Sequence, residues 1–189
     1  MIKTKEDLRY YMECDKKALG IGGRKRPRIF SDEVWRFQRS LRRLEYYNNV
    51  GKKHLILFKL FEKLRFHRLS IKLGFTIPLN VFGPGLAIVH YGTIVVSNGS
   101  KIGKNCRIHE GVTIGATNGS SKAANIGDNV FIGTGAKIIG EVTISSNVAI
   151  AANAVVVSDI ICENGCTVGG VPAKVISNNN SSLNIHIIE

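Results

Sequence analysis

Two histidines in the middle of the chain, His90 and His109, are the side chains best suited to proton-transfer chemistry. An imidazole titrates near neutrality, so it can accept a proton and return it during a reaction. The two histidines lie nineteen positions apart, so their proximity depends on how the intervening chain folds. A surface position is the alternative for His109. We interpret the remaining histidines as solvated or packing residues: His54, His67 and His186.

The four cysteines, Cys14, Cys106, Cys162 and Cys166, form no Cys-x-x-Cys pair. The chain also begins without the apolar segment of a secretory signal. We therefore expect reduced thiols and a cytoplasmic protein. Cys162 and Cys166 fall on apolar positions of the repeat described next, which favours core packing over redox or metal chemistry. No metal site is predicted.

The elements that must position the two histidines follow a period of six. Every sixth residue from Val96 to Val168 is apolar except Ser120, and most are Val or Ile. A second, largely apolar series runs four positions later, and a small residue often follows the first series. Neither a helix nor a plain strand has this period. Six-residue units with β-branched anchors and glycine corners are typical of a parallel β-helix, in which three units close one triangular coil.

Two features interrupt the period. The polar stretch 117–125 puts Ser120 on a core position, where a hydroxyl without a partner is unfavourable, so we expect this stretch to leave the coil as a loop. Near His90 the repeat frame slips by two residues, between Ile94 and Val96. The slip is expected to present His90 at a coil edge. Because one coil has about eighteen residues, His109 is then within reach on the next coil.

In this order, the motifs resemble those of the serine acetyltransferase branch of the hexapeptide-repeat acyltransferases. The resemblance rests on residues 85–96, the hexads, the loop after Ile114-Gly115-Ala116 and the closing stretch 170–174, and it covers about residues 75–176. It implies a mainly β fold, a left-handed parallel β-helix preceded by an α-helical region, against the usual right-handed crossover. It also implies a homotrimer with active sites between subunits.

The same resemblance implies an acetyl-CoA-dependent O-acetyltransferase. His90 matches the general base, which takes the proton of an acceptor hydroxyl as its oxygen attacks the thioester carbonyl. Backbone N–H groups near Gly115 and Ala116 would hold the oxyanion. The positions that match the CoA channel are Gly115, Ala116, Thr134 and Ala152, and Lys174 matches a position that meets the CoA phosphates.

The acceptor is where the chain departs from the family. Members that acetylate serine carry Asp where this chain has Phe75 and Val89, and Arg-His in the loop where it has Lys122-Ala123. An ammonium group without a carboxylate partner is held weakly. The alternative to L-serine is therefore a sugar hydroxyl of a capsular or envelope polysaccharide precursor. The acceptor-site candidates are Val89, Tyr91, His109 and Lys122.

Two other functions compete with this interpretation. A zinc carbonic anhydrase on the same type of coil needs three histidine ligands, and only His90 and His109 lie in the repeat region. A non-catalytic β-helix scaffold would have no affinity for CoA.

The positive charge is concentrated in the first part of the chain. Residues 1–76 hold 20 of the 26 Lys and Arg and 8 of the 14 Asp and Glu, so the net charge of +12 lies there. We expect helices over 32–48, with Ser31 as N-cap, and over 52–73. The second helix is basic and amphipathic, so contact with an anionic membrane surface is an alternative to packing within the trimer. No nucleic-acid-binding motif accompanies the charge, and no nucleic-acid partner is expected.

The sequence thus divides into a basic helical region (1–75), a β-helix (76–176) and a polar tail (177–189) that we expect to be mobile. No apolar run is long enough to predict a transmembrane helix.

Overall fold

Three α-helices precede the coil in this computed structural model, which describes residues 1–28 and 30–186 apart from the side chain of Lys53. The helices are α1 (Lys5–Ala18), α2 (Glu33–Val50) and α3 (Ile56–Leu73), with a short 3₁₀ turn at Lys53–Leu55 before α3. α1, which the sequence analysis did not identify, begins with a capping box formed by Thr4 and Asp7. This arrangement satisfies backbone N–H groups that the first helical turn leaves free.

The two predicted helices are confirmed as α2 and α3, with one correction at the start of α2. The residue at its N-cap is Asp32, not Ser31 as predicted, and Asp32 makes no side-chain cap. Its carboxylate instead accepts hydrogen bonds from the Arg24 guanidinium and the backbone N–H of Arg28. A charged partner offers this carboxylate a stronger interaction than a helix cap does.

Fourteen short strands follow among the described residues. They are β1 (Phe75–Thr76), β2 (Ala87–Ile88), β3 (Ile94–Val96), β4 (Lys101–Ile102), β5 (Arg107–Ile108), β6 (Thr113–Gly115), β7 (Asn125–Ile126), β8 (Phe131–Ile132), β9 (Lys137–Ile139), β10 (Thr143–Ile144), β11 (Ala149–Ile150), β12 (Val155–Val156), β13 (Thr167–Gly169) and β14 (Lys174–Ser177). They form three sheets with the strand orders β1-β3-β6-β9-β12, β4-β7-β10 and β2-β5-β8-β11-β13-β14. Every pairing is parallel except that of β13 with β14. The chain visits the three sheets in turn, as a β-helix requires.

Strand register measures the length of each coil. Ile132 pairs with Ile150, eighteen residues on, which is the pitch predicted from the hexads. Ile108 pairs with Ile132, a step longer by six, because the stretch 117–125 leaves the coil as predicted. Ile88 pairs with Ile108, a step of twenty, because the predicted two-residue slip lies between them.

The interior of the coil consists of the residues of the hexad lattice. All Val and Ile residues at the six-residue positions from Val96 to Val168 are buried, whereas Ser120 is exposed in the loop. Burying each isoleucine contributes roughly 1.5–3 kcal/mol. The predicted β-helix fold with N-terminal helices is therefore confirmed.

The helices cover the first coil. Phe37 and Leu41 of α2 and Leu69 and Leu73 of α3 join the coil core through Phe75 of β1. Through these contacts the helices close the end of the core that the first coil would otherwise leave open. None of the described helices is long and apolar enough to cross a bilayer.

One corner of the coil is built from asparagines. Asn105, Asn129 and Asn147 have positive φ angles of 56°, 56° and 63°. Their side chains form a ladder, since each of the first two donates from Nδ2 to the Oδ1 of the next at 2.9 Å. We call this corner the asparagine edge. Beyond β14 the buried Ser181 donates from Oγ to the carbonyl of Asn129, and the mobility expected of the tail stays a prediction.

The expectation of reduced, unlinked core thiols is wrong for two of the cysteines. A disulfide joins Cys162 to Cys166. Their Cα atoms are 6.0 Å apart, within the range that a disulfide spans. The hexad positions predicted the placement of both residues but did not reveal that the turn between them brings their sulfurs together.

Candidate active site

His90 lies on an edge of the coil formed by the turns that follow β2, β5, β8 and β11. It stands two residues after β2, and the preceding Val89 donates from its backbone N–H to the carbonyl of Ile108 at 3.2 Å. The His90 side chain is exposed. Two residues later Gly92 adopts a φ of 135°, which a side chain would disfavour. We call this corner the histidine edge.

His109 occupies the same edge one coil further. The ring centroids of His90 and His109 are 5.8 Å apart in an edge-to-face arrangement, and His109 in turn packs on Phe131 at 5.2 Å. Unlike His90, the His109 side chain is only 19% exposed. The two-residue slip thus brings together two histidines that are nineteen positions apart in the sequence.

Glu110 adds a carboxylate to this pair. Its Oε2 lies 4.0 Å from Nδ1 of His109, beyond hydrogen-bond distance. Within the described residues, both Glu110 Oε2 and His109 Nε2 are buried without a hydrogen-bond partner. A buried polar atom without a partner is rare and calls for an explanation.

The ionisation of this cluster follows from its surroundings. Burial, followed by the charge of Arg107, lowers the pKa of His109. A hydrogen bond from its own backbone N–H is the main factor that lowers the pKa of Glu110, with help from the Thr134 hydroxyl and the charges of His90 and His109. Near neutral pH, His109 is therefore neutral and Glu110 is a carboxylate.

The same three side chains are the only group of metal-ligating type found in the part of the chain that the structure describes. Donor atoms of His90, His109 and Glu110 lie within 4.8 Å of one another. Ligands of a single tetrahedral zinc ion lie about 3.3 Å apart, and the 4.0 Å between His109 and Glu110 exceeds this. We therefore do not assign a metal to the cluster.

A cavity of about 250 Å³ opens beside His90, between the histidine edge and the segment that leads into α2. Val89, His90 and Tyr91 line it from the coil, and Asp32 and Glu33 line it from the helical region. Both acids already have partners: Asp32 binds Arg24, and Glu33 binds Lys72 at 3.2 Å. This wall is not predictable from the sequence, because no local motif links residues 32–33 to the coil.

The residues predicted to bind CoA divide between two edges. Thr134 and Ala152 stand in exposed turns on the histidine edge, one and two coils beyond His109. Gly115 instead ends β6 and Ala116 follows it, where the loop 117–125 leaves the coil. We call this corner the loop edge. A single chain does not bring these two sets together.

The remaining candidates lie away from His90. Lys122 is exposed in the loop and pairs with Glu141 at 3.0 Å, near the loop edge. Lys174 is exposed at the start of β14. Of the acceptor-site candidates, Val89, Tyr91 and His109 therefore adjoin His90, and Lys122 does not.

Comparison with known proteins identifies relatives of this coil. No family model matches the chain. The serine acetyltransferase of Synechococcus elongatus is 38% identical over 96 residues, which make up 50% of this chain and 38% of that protein. The chain therefore spans well under two thirds of the length of this curated relative.

Solved structures extend the likeness over the helices. The serine acetyltransferase of Neisseria gonorrhoeae in complex with serine is 30% identical, with a TM-score of 0.68 over 90% of this chain and 69% of that one. A serine acetyltransferase in complex with CoA is 25% identical, with the same TM-score over 91% and 71%. With its confirmed hexad coil and these likenesses, the chain belongs to the hexapeptide-repeat acyltransferases as a serine acetyltransferase-like member.

Proposed function

We propose that this protein transfers the acetyl group of acetyl-CoA to an acceptor hydroxyl, with His90 as the general base. The observation that carries the proposal is the exposed imidazole of His90 beside a cavity of about 250 Å³. The likeness to a serine acetyltransferase that binds CoA supports acetyl-CoA as the donor.

The reaction would proceed in two steps. As the acceptor oxygen bonds to the thioester carbonyl carbon, its proton passes to His90, and the carbonyl becomes an oxyanion. The oxyanion then collapses, the carbon–sulfur bond breaks, and the CoA sulfur takes the proton back from the imidazolium. A hydroxyl needs such a base because it is a poor nucleophile at neutral pH.

We propose a homotrimer of left-handed coils as the active assembly. The support is the division of the candidate CoA residues, because Thr134 lies on the histidine edge and Gly115 on the loop edge. A site made from the histidine edge of one subunit and the loop edge of its neighbour would reunite them. Backbone N–H groups near Gly115 and Ala116 would then stabilise the oxyanion, and Lys174 would meet the CoA phosphates.

The cavity favours a saccharide hydroxyl over L-serine as the acceptor. Val89 stands where serine-specific members carry an Asp, and the nearby Asp32 and Glu33 are paired with Arg24 and Lys72. An ammonium group would therefore find no unpaired carboxylate among the described residues that line the cavity. Tyr91, 75% exposed at the cavity rim, offers a face for a sugar ring. The neighbour solved with serine keeps L-serine as the competing acceptor.

Transfer of labelled acetyl from acetyl-CoA to a panel of acceptors tests the proposal. The panel holds L-serine, nucleotide-linked sugars and lipid-linked sugars. We expect turnover with a sugar, its loss in His90→Ala, and no change in the control His54→Ala, an exposed histidine outside the coil. Undiminished turnover in His90→Ala would reject the base. Turnover of serine alone would reject the saccharide.

A thermal-shift measurement separates the enzyme from a non-catalytic scaffold. Binding of CoA to the folded protein raises its melting temperature, and the shift grows with ligand concentration. We expect such a shift in both the wild type and His90→Ala, since the base is not needed for donor binding. No shift in either protein would favour the scaffold.

We also propose that α3 contacts an anionic membrane surface. Its inner face, which includes Glu62, Leu69 and Leu73, packs on the protein. An outer stripe at helical spacing is at least 54% exposed and consists of Leu57, Leu60, Phe61, Leu64 and Ile71. Such a stripe flanked by basic residues is typical of helices that lie on bilayers.

Charge favours a lipid surface over a second copy of the chain. Lys63, Arg68 and Lys72 adjoin the outer stripe and are exposed. The one acidic residue of α3, Glu62, is buried and accepts a hydrogen bond from Ser40 at 2.9 Å. Two copies of the stripe would bring like charges together, whereas anionic headgroups would neutralise them.

Flotation with phosphatidylglycerol vesicles and with neutral phosphatidylcholine vesicles tests this contact. We expect binding to the anionic vesicles at low salt, its loss in the triple variant Leu57→Ser, Phe61→Ser, Leu64→Ser, and its retention in Ile161→Ser. Ile161 is 70% exposed on the coil and serves as the matched control. Absence of flotation at low salt, or a smaller oligomer of the triple variant in light scattering, would overturn the proposal.

A further inference from the structure

The aliphatic part of the Glu110 side chain lies directly against the turn that carries His90. A methyl group added at Gly92 would stand 3.0 Å from Cβ of Glu110, closer than most such contacts. Because residue 92 is a glycine, the turn 90–93 packs directly on the Glu110 side chain. One carboxylate oxygen of Glu110 lies within 4.8 Å of one ring nitrogen of His90, and Oε2 is buried with no hydrogen-bond partner among the described residues.

We infer that Glu110 is the positioning residue for His90 and supplies, from the next coil, the negative charge that Val89 and Phe75 do not. This inference rests on the proposed function of His90. A rotation of the exposed His90 ring brings one of its N–H groups to Glu110 Oε2 and turns the other nitrogen toward the cavity. Hydrogen bonds of this kind are often long in ligand-free structures and shorten in the reacting complex.

The other groups around Glu110 favour this role. The Thr134 hydroxyl hydrogen-bonds to the carboxylate and orients it. His109, which is neutral because burial lowers its pKa, packs between Phe131 and His90 and adds no positive charge. A carboxylate held in this way stabilises the imidazolium that forms as the acceptor proton leaves.

Few titratable or charged groups surround His90 among the described residues. Glu110 and the neutral His109 approach it from the coil, and Arg107 acts on His109. Asp32 and Glu33 line the opposite wall of the cavity with their own cationic partners. The loss of Glu110 therefore removes the one carboxylate near His90 in the described structure that lacks a Lys or Arg partner.

The test compares Glu110→Gln and Glu110→Asp with the wild type, and uses Glu163→Gln, an exposed acid on another turn, as control. We expect Glu110→Gln to lower kcat roughly 10- to 100-fold with little change in KM. Glu110→Asp should recover part of kcat, and Glu163→Gln should match the wild type.

The outcomes separate the inference from the proposed function. If His90→Ala is inactive while Glu110→Gln keeps the wild-type kcat, Glu110 has no positioning role and His90 remains the base. If Glu110→Gln changes KM as much as kcat and Glu110→Asp recovers nothing, the role of Glu110 is structural and the inference fails. Activity in His90→Ala would remove the proposed function itself.

Discussion

The side chain of Gln38 hydrogen-bonds to two backbone groups at the open edge of the sheet, one on Leu86 just before β2 and one on Ile88 within it. Its Nε2 donates to the carbonyl of Leu86 at 2.6 Å, and its Oε1 accepts from the N–H of Ile88 at 3.3 Å. On its other side β2 pairs with β5. The amide of Gln38 thus takes the place of one further strand, in a buried position two residues before His90.

Replacing Gln38 with leucine should destabilise the protein. The substitution leaves a buried N–H and a buried C=O without partners, at a cost of about 1–3 kcal/mol each. We expect a lower midpoint in urea denaturation and lower activity, because the strand that carries His90 loses its support. Asn48→Leu, at an exposed position of the same helix, is the control. A Gln38→Leu variant as stable as the wild type would show that water hydrogen-bonds to these two backbone groups in place of the Gln38 amide.

Arg42 should be among the most sensitive positions for stability. Its guanidinium is fully buried and binds Asp15, Glu45 and the carbonyls of Phe82 and Gly83. Burial raises the pKa of Asp15, yet its two oxygens accept four hydrogen bonds in the manner of a carboxylate. Arg42→Met would leave these buried acids uncompensated, which costs about 3–5 kcal/mol.

Chemical denaturation of Arg42→Met and of Arg43→Met measures this difference. Arg43, the neighbouring arginine, is partly exposed and pairs with Glu62 at 3.2 Å. We expect its replacement to cost less than that of Arg42, because Glu62 keeps its hydrogen bond from Ser40 and its contact with Arg65 at 3.8 Å. Equal losses in the two variants would contradict the role assigned to the buried network.

The asparagine edge predicts a graded response at position 129. Asn129 has a φ of 56° and sits in the middle of the side-chain ladder. Glycine adopts this backbone conformation readily but makes no ladder hydrogen bonds. Alanine makes no ladder hydrogen bonds either, and its Cβ disfavours the positive φ. We expect Asn129→Ala to cost about 1–2 kcal/mol beyond Asn129→Gly in thermal unfolding. An alanine variant as stable as the glycine variant would show that the left-handed conformation carries no strain.

His109 should make stability depend on pH. Burial lowers its pKa in the folded protein below the ordinary value of 6.5. As the pH falls through 6.5, the unfolded chain binds a proton that the folded protein does not, so the free energy of unfolding decreases. We expect His109→Gln to lose part of this dependence between pH 7.5 and 5, measured as melting temperature. His54→Gln, at an exposed position, should keep the wild-type slope.

The period of six anticipated the coil because it acts through local geometry. In a six-residue unit one β-branched side chain must point inward, and stacking of the units then buries Ile108, Ile132 and Ile150 in one column. The polar residue Ser120 and the two-residue slip before Val96 mark the points where the coil departs from this pattern. The amphipathic patterns of α2 and α3 likewise located the helices.

Other features depend on residues that no local pattern connects. Gln38 and Leu86 are 48 positions apart, and Arg42 and Asp15 are 27 apart. The disulfide between Cys162 and Cys166 depends on the shape of the turn between them, whereas the sequence suggested two core thiols. The wall of Asp32 and Glu33 beside His90 likewise exists only because α2 packs on the first coil.

The amino-acid sequence by itself determined the repeat, the inward-facing residues, the loop and the family motifs around His90. Only the tertiary structure decided which groups surround that imidazole, since a coil step of twenty residues stacks the turn after β2 on the turn after β5. This stacking brings Glu110 beneath His90 and leaves Gly115 and Ala116 on a different edge. The physical reason is that hydrophobic periodicity specifies which side chains are buried, whereas the contacts between polar groups on successive coils depend on the length of each turn.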